Sequence, residues 1–266
     1  MPNVVVPIPA RDAANEVDRA TLPDTAGMRP LTGELLLTAW EEGASAPDLR
    51  RALTMLSIAL PGGDQVQLSA LPLADRNLLL LRLHELSFGP FLNVFGVCPN
   101  CAARLEFAVR VAEMAALLES KPSARAVTWT EAGRQYRMRP VTTDDLIASL
   151  DAADVRPAQE LLLERCLEVS PPHEPGRLSA TPTVLQKFEQ VQATTELSCA
   201  IECPGCSERE LPDLDIGRFL WAEVRTAARR LLGEIHELAS AYGWSEQAIA
   251  GMGADRREAY LEMVGA

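Results

Sequence analysis

No stretch of this sequence is apolar for long enough to cross a bilayer. The most apolar run, Asn77 to Leu83, is broken by Arg82 and falls far short of the roughly 20 residues a spanning helix needs. No export leader is expected either. The amino terminus has an apolar Val4-Val5-Val6, but not the ordered basic region, apolar helix and small-residue cleavage site of a signal peptide, so a reducing cytosol is expected. Positive charge is in deficit. Twenty-five Lys and Arg face 37 Asp and Glu, giving a net charge of -12 and a pI near 4.8. Such a surface repels phosphate backbones, which disfavours broad nucleic-acid binding. The sequence also has no serine in a nucleophile-elbow pattern and no Gly-rich phosphate loop. Its three histidines are scattered: His84 and His236 sit on amphipathic helical segments, and His173 lies in a Pro-rich loop. Asp144 with Asp145, and Glu208 with Glu210, read as helix caps and solvated surface rather than paired acids. No residue set supports catalysis, and an enzyme is not expected.

What is present is an ordinary globular composition, 47% hydrophobic and 23% charged, which is enough to bury one or two cores. Residues 1–30 hold five prolines among small and charged residues and read as an arm. Either it is a loose tail, or Val4, Val5, Val6 and Ile8 add to a partner's sheet or groove. From Leu31 the pattern is helical, with Leu35, Leu36, Leu37 and Trp40 on one helix and Leu49, Leu53, Leu56 and Leu60 on the next. After the turn Pro61-Gly62-Gly63-Asp64, Val66 and Leu68 alternate briefly. Leu73 to Leu86 is then a strong helix, stopping before Gly89-Pro90.

Leu105, Phe107 and Val109 alternate as a strand, and 127–129 with 136–138 flank a turn to make a hairpin. Helices follow at 143–150, with Thr143 as N-cap, at 157–169, with Pro157 in the first position, and at 185–191. Leu197, Cys199 and Ile201 read as a strand. Leu220, Val224, Ala228, Leu231, Ile235, Leu238 and Tyr242 make the stripe of a long amphipathic helix that Gly243 closes. Ser245 caps a short helix, and a last one runs over 255–264.

Six cysteines in such a chain point to metal or redox chemistry rather than disulfides. Four form two matching elements, Cys98-Pro99-Asn100-Cys101 and Cys203-Pro204-Gly205-Cys206. Each has the two-residue gap that lets both thiolates reach one tetrahedral ion, and each adjoins a strand. Asn100 and Gly205 are the residue types that tolerate left-handed backbone in tight turns. Between Cys101 and Cys203 lie 203 − 101 − 1 = 101 residues, so a shared site makes a discontinuous zinc ribbon with a subdomain inserted. Pairing of each knuckle with a second subunit is the alternative. A redox dithiol fits less well because neither element sits at a strand-to-helix turn, and four thiolates leave no open position for a catalytic zinc. Cys166 and Cys199 read as buried bystanders, with Cys199 a reserve ligand.

Several segments in order resemble the T4-like bacteriophage baseplate protein family, which also occurs with phage-tail-like contractile injection systems. They are Asp75-Arg76-Asn77-Leu78-Leu79-Leu80-Leu81-Arg82, Ser87-Phe88-Gly89, the first cysteine pair, Arg139-Pro140-Val141-Thr142-Thr143-Asp144-Asp145-Leu146 and Leu162-Leu163-Glu164-Arg165-Cys166. The second cysteine pair, Phe219-Leu220-Trp221-Ala222-Glu223-Val224, residues 239–246, and Arg256-Arg257 to Tyr260-Leu261 complete the set. The resemblance covers about residues 28–264. It implies a non-enzymatic part or assembly factor of a contractile-tail baseplate, in the bacterial cytoplasm or carried into the assembled particle, with other baseplate or tail proteins as partners. It also implies that Cys98, Cys101, Cys203 and Cys206 are metal ligands.

The expected architecture is α+β and mostly helical. It has an arm at 1–30, a helical core with the first zinc knuckle at 31–111, and an inserted hairpin and helical subdomain at 112–195. The second knuckle follows at 196–215 and C-terminal helices at 216–266. Structural Zn2+ is the expected cofactor. Trp244 and Tyr260 are candidate partner-binding aromatics, while Trp221 and Tyr242 are expected in the core. The runner-up function is a zinc-ribbon adaptor of a nucleic-acid-processing complex, for which Arg225, Arg229 and Arg230 would supply a basic face.

Overall fold

The computed structural model describes residues 25, 27–120, 126–170, 181–193, 195, 197, 201–210 and 214–265. The residues of the expected arm up to 24, His173 with most of the Pro-rich loop, and Cys199 lie outside them. Helices α1 (Gly33–Ala44) and α2 (Asp48–Ala59) form an antiparallel pair that buries Leu36, Leu37 and Ala39 against Leu53, Met55 and Leu56. The short segment after the glycine turn is not extended. Asp64 accepts a hydrogen bond from the Val66 N–H and caps a one-turn helix, α3 (Gln65–Ser69), which buries Leu68 and leaves Val66 exposed. Helix α4 (Leu73–Phe88) ends at Gly89, whose φ of +96° only glycine adopts without strain.

A hairpin follows, β1 (Phe91–Val97) with β2 (Arg104–Arg110), in antiparallel register from Phe91↔Arg110 to Val97↔Arg104. Leu105, Phe107 and Val109 point inward as their alternation predicts. The chain then turns directly into α5 (Val111–Ser120), whose Val111, Met114 and Leu118 are buried in the same core as α4. That core therefore runs past the boundary expected at residue 112.

The next part has its own smaller core. Strands β3 (Val127–Glu131) and β4 (Arg134–Met138) form the expected hairpin. Helix α6 (Thr143–Ser149) is capped by Thr142, not Thr143. The Thr142 hydroxyl accepts from the Asp145 N–H while the Asp145 carboxylate accepts from the Thr142 N–H. Helix α7 (Val155–Cys166) starts from Asp154, which puts Pro157 at the third position, and it stops three residues short of the expected Val169. From Leu167 the chain is a strand instead, β5 (Leu167–Ser170), pairing with β4 to give the sheet order β3-β4-β5. Helix α8 (Pro182–Gln192) starts under a Thr181 cap and buries Val184 and Val191 against Met138, Leu163 and Leu167.

The chain returns to the first core through β6 (Ile201–Glu202) and β7 (Arg209–Glu210), a short antiparallel pair. Helix α9 (Ile216–Tyr242) then lies along α1, α2 and α4. The first six positions of its stripe, Leu220 to Leu238, are buried as read, the seventh, Tyr242, is exposed, and Gly243 closes the helix in the left-handed conformation at φ +68°. Helices α10 (Glu246–Ala250) and α11 (Ala254–Val264) pack back onto α9. The fold is thus mixed helix and sheet and mainly helical, with small antiparallel sheets. No helix of the described residues is long and apolar enough to cross a membrane.

Candidate metal centre

Each cysteine pair sits at the tip of a hairpin, and the two tips are built alike. The first spans residues 98–103 between the paired Val97 and Arg104, and the second spans 203–208 between the paired Glu202 and Arg209. In the first, the Cys98 N–H donates to the Ala103 carbonyl and the Ala102 N–H to the Cys98 carbonyl, both at 2.9 Å. In the second, the Cys203 N–H donates to the Glu208 carbonyl at 2.9 Å and the Ser207 N–H to the Cys203 carbonyl at 2.8 Å. The left-handed residue in each tip is the one after the second cysteine, Ala102 at φ +56° and Ser207 at φ +58°. It is not Asn100 or Gly205, as the turn chemistry had pointed to. Gly205 faces the opposite tip: a Cβ there would stand in ordinary contact, 3.4 Å, with the Cys101 Sγ and the Ala103 Cβ.

The tips meet, and the 101 intervening residues do not keep them apart. The Sγ atoms of Cys98, Cys101, Cys203 and Cys206 all lie within 4.8 Å of one another. Cys98 Sγ is 3.7 Å from Cys206 Sγ, and Cys101 Sγ is 3.5 Å from Cys203 Sγ. Four sulfurs around a tetrahedral zinc at about 2.3 Å stand about 3.8 Å apart, so the closer pairs already have that spacing. They are far beyond the roughly 2.05 Å of a disulfide. Cys98 and Cys203 are buried with Leu105 in a small apolar cluster, Cys206 is half-buried and Cys101 is exposed.

The Gly205 N–H points at Cys203 Sγ, 3.4 Å away, and supports negative charge there. At Cys101 the backbone hydrogen bond of Ala103 favours the thiolate. Hydrogen bonds shared with Cys203, Cys206 and Cys98 oppose it and push the thiol up to about 12. Crowded thiols of this kind hold their protons until a cation displaces them, so metal uptake releases protons and weakens as pH falls. The donor set is all sulfur, which suits a thiophilic tetrahedral ion such as zinc and leaves no ligand position for a reacting water.

The other candidates occupy structural positions. His84 is fully buried on α4 between Phe88 and Phe219, each ring centroid 5.7 Å away, with its Nε2 3.5 Å from a Glu223 carboxylate oxygen. His236 is exposed on α9. Glu208 is exposed.

Asp145 is not a surface residue. Its carboxylate is buried and takes a bidentate pair from Arg139 at 2.6 and 3.0 Å, a third contact from Arg165 at 2.7 Å, and the Thr142 cap. Burial raises its pKa, but the hydrogen bonds of Arg139, the Thr142 N–H and Arg165 outweigh it and hold the carboxyl well below the usual range. Cys166 is buried beside this cluster as read, and burial pushes its thiol up to about 11.

Among the aromatics, Trp221 is in the core, but Tyr242 is not buried as expected. It stacks on Trp244 with ring centroids 4.5 Å apart, and Tyr260 meets Trp244 edge-on at 4.8 Å, which makes a half-open aromatic group at the end of α9. Of the basic stripe, Arg230 pairs with Glu234 at 2.9 Å, while Arg225 and Arg229 are exposed. Glu223 faces His84 rather than the stripe.

Comparison with protein-family models, with curated proteins and with solved structures finds no match for this chain.

Proposed function

We propose that the chain is a non-enzymatic structural or assembly protein of a phage-type contractile tail or injection-system baseplate. In this reading one structural zinc, held by Cys98, Cys101, Cys203 and Cys206, closes a discontinuous zinc ribbon. The observation that carries it is where the segments behind the family resemblance lie. Asp75 to Arg82 and Arg139 to Leu146 meet at the joint between the two cores. There the buried Arg76 guanidinium donates to the Thr143 hydroxyl at 3.1 Å, the Leu73 N–H donates to the Val141 carbonyl at 3.1 Å, and Pro72 bridges Thr142. Phe219 to Val224 pack on the central helices, where Leu220 and Val224 are buried. The cysteine pairs form the four-sulfur cluster. Every one of these segments joins or braces parts of the fold, which is what a rigid scaffold needs and a catalytic cleft does not.

Partner docking is assigned to the end of α9, where Trp244 and Tyr260 stand in the half-open aromatic group. Deleting residues 243–266 would also strip the fully buried Ile249 from the core, so side-chain replacement is the cleaner test. The tagged chain, isolated from cells producing contractile particles, should bring down baseplate or tail proteins identified by mass spectrometry. Trp244→Ala with Tyr260→Ala should lose them while retaining the fold. Enrichment of nucleic-acid-processing proteins, lost steeply in added salt, would instead favour the adaptor reading.

A further inference from the structure

At the end of α9 opposite the aromatic group, residues 217–225 pack beside α2 and line a half-open surface cavity of about 240 Å³. Arg218, Trp221, Ala222 and Arg225 line it from α9 at spacings of three, one and three, so they share one helical face. Asp48 and Arg51 line it from α2. Arg51 is held in place: its Nε donates to the Gly43 carbonyl at 2.9 Å, its other end pairs with Asp48, and its guanidinium lies 5.1 Å over the Trp221 ring. Arg218 reaches Asp48 only at 4.0 Å, and Arg225 has no ion-pair partner among the described residues. Three guanidiniums against one carboxylate leave a local charge of 3 − 1 = +2, on a chain whose net charge is -12.

We propose that this pocket binds a phosphate group, either inorganic phosphate or a phosphomonoester. The charge decides the class. A phosphomonoester carries about −1.5 to −2 at neutral pH and matches the pocket, whereas a single carboxylate leaves half of it unbalanced. Guanidinium forks suit the tetrahedral oxyanion because they offer paired N–H donors in a fixed plane. The small Ala222 leaves the space between the two arginines of α9 open. The chain's net charge of -12 disfavours an extended polyanion, so the ligand is a single phosphate rather than a nucleic-acid backbone. The site is independent of the sulfur cluster and of the aromatic group, so it stands or falls separately from the baseplate reading.

Calorimetric titration of the full chain at low ionic strength tests it, with inorganic phosphate, phosphoserine and acetate as probes. One saturable site for phosphate is expected, with acetate much weaker. Tighter binding of phosphoserine than of inorganic phosphate would assign the site to a chain-borne phosphate, and the reverse to the free anion. Arg218→Gln and Arg225→Gln should each weaken phosphate binding roughly tenfold, the worth of a charge-assisted hydrogen bond, with no shift in thermal unfolding. Arg229→Gln, exposed on the same helix outside the cavity, should leave binding intact. No saturable phosphate binding, binding indifferent to Arg218 and Arg225, or an equal loss with Arg229→Gln overturns the proposal.

Discussion

At the scale of single residues, Asp145 gathers three charged hydrogen bonds and a helix cap on one buried carboxylate. The two arginines and the cap tie β4, α6 and the end of α7 together. Removing the carboxylate leaves Arg139 and Arg165 without the acceptor that pairs them. Asp145→Ala should therefore cost about 2 to 3 kcal/mol in denaturant unfolding, less than a fully buried pair because Arg139 and Arg165 stay partly exposed and can rehydrate. The effect also has a pH signature. The folded-state pKa is depressed, so the contribution is complete above the unfolded value of about 3.9. It fades as pH falls from there through the folded value. The gap between wild type and Asp145→Asn should be widest near neutral pH and close progressively in acid. A gap that stayed constant down to low pH would rule out the charged form as its source. The sequence carries the signal for this residue in Thr142-x-x-Asp145, the spacing of a capping box. What it does not carry is burial, because Arg139 and Arg165 approach from elements whose contact is tertiary.

At the scale of elements, α9 was the most legible part of the chain. A stripe repeated from Leu220 to Leu238 leaves one arrangement for the apolar side chains, and all six of its positions are buried. Leu220, fully buried where α9 meets α2 and α4, sets the size of the effect. Leu220→Ala should destabilise by about 2 to 5 kcal/mol, measured by denaturant unfolding, and a loss under about 1 kcal/mol would mean that the helix is not a core element.

Shorter elements were harder to read, each for its own reason. β1 is apolar on both faces, with Phe95 and Val97 exposed at 69% and 63%, so no alternation marks it. α5 follows β2 without a turn residue to announce it. β5 continues the apolar pattern of α7, and only its pairing with β4 makes it a strand. In α3, Val66 and Leu68 sit two apart, a spacing that reads as extended chain until the Asp64 cap is seen.

At the scale of the whole molecule, the four cysteines connect two hairpins with 101 residues of chain between them. Their identity was legible because two thiolates two residues apart, twice, with proline in the same place, is a ligand pattern with little other use. Their convergence follows from the matched pairs and is what the structure shows; the sequence does not carry the means, which is α4 and α9 packing side by side so that the hairpin after one faces the hairpin before the other. The clasp closes a loop of 101 residues. Such a loop has a large closure entropy, and metal bonds worth roughly 10 kcal/mol or more in small peptides can offset it.

Removing the proposed zinc should therefore loosen the joint between the hairpin tips and α9, not merely the tips themselves. A loss of about 4 kcal/mol lowers Tm by roughly 10 °C in a chain of this size. The most direct measurement is the zinc content of the purified protein, taken together with its thermal unfolding before and after chelation. About one zinc per chain is expected, absent from Cys98→Ser and Cys206→Ser, with a Tm drop on chelation that the variants already show. A metal-free protein whose Tm neither chelator nor cysteine replacement moves would contradict the account.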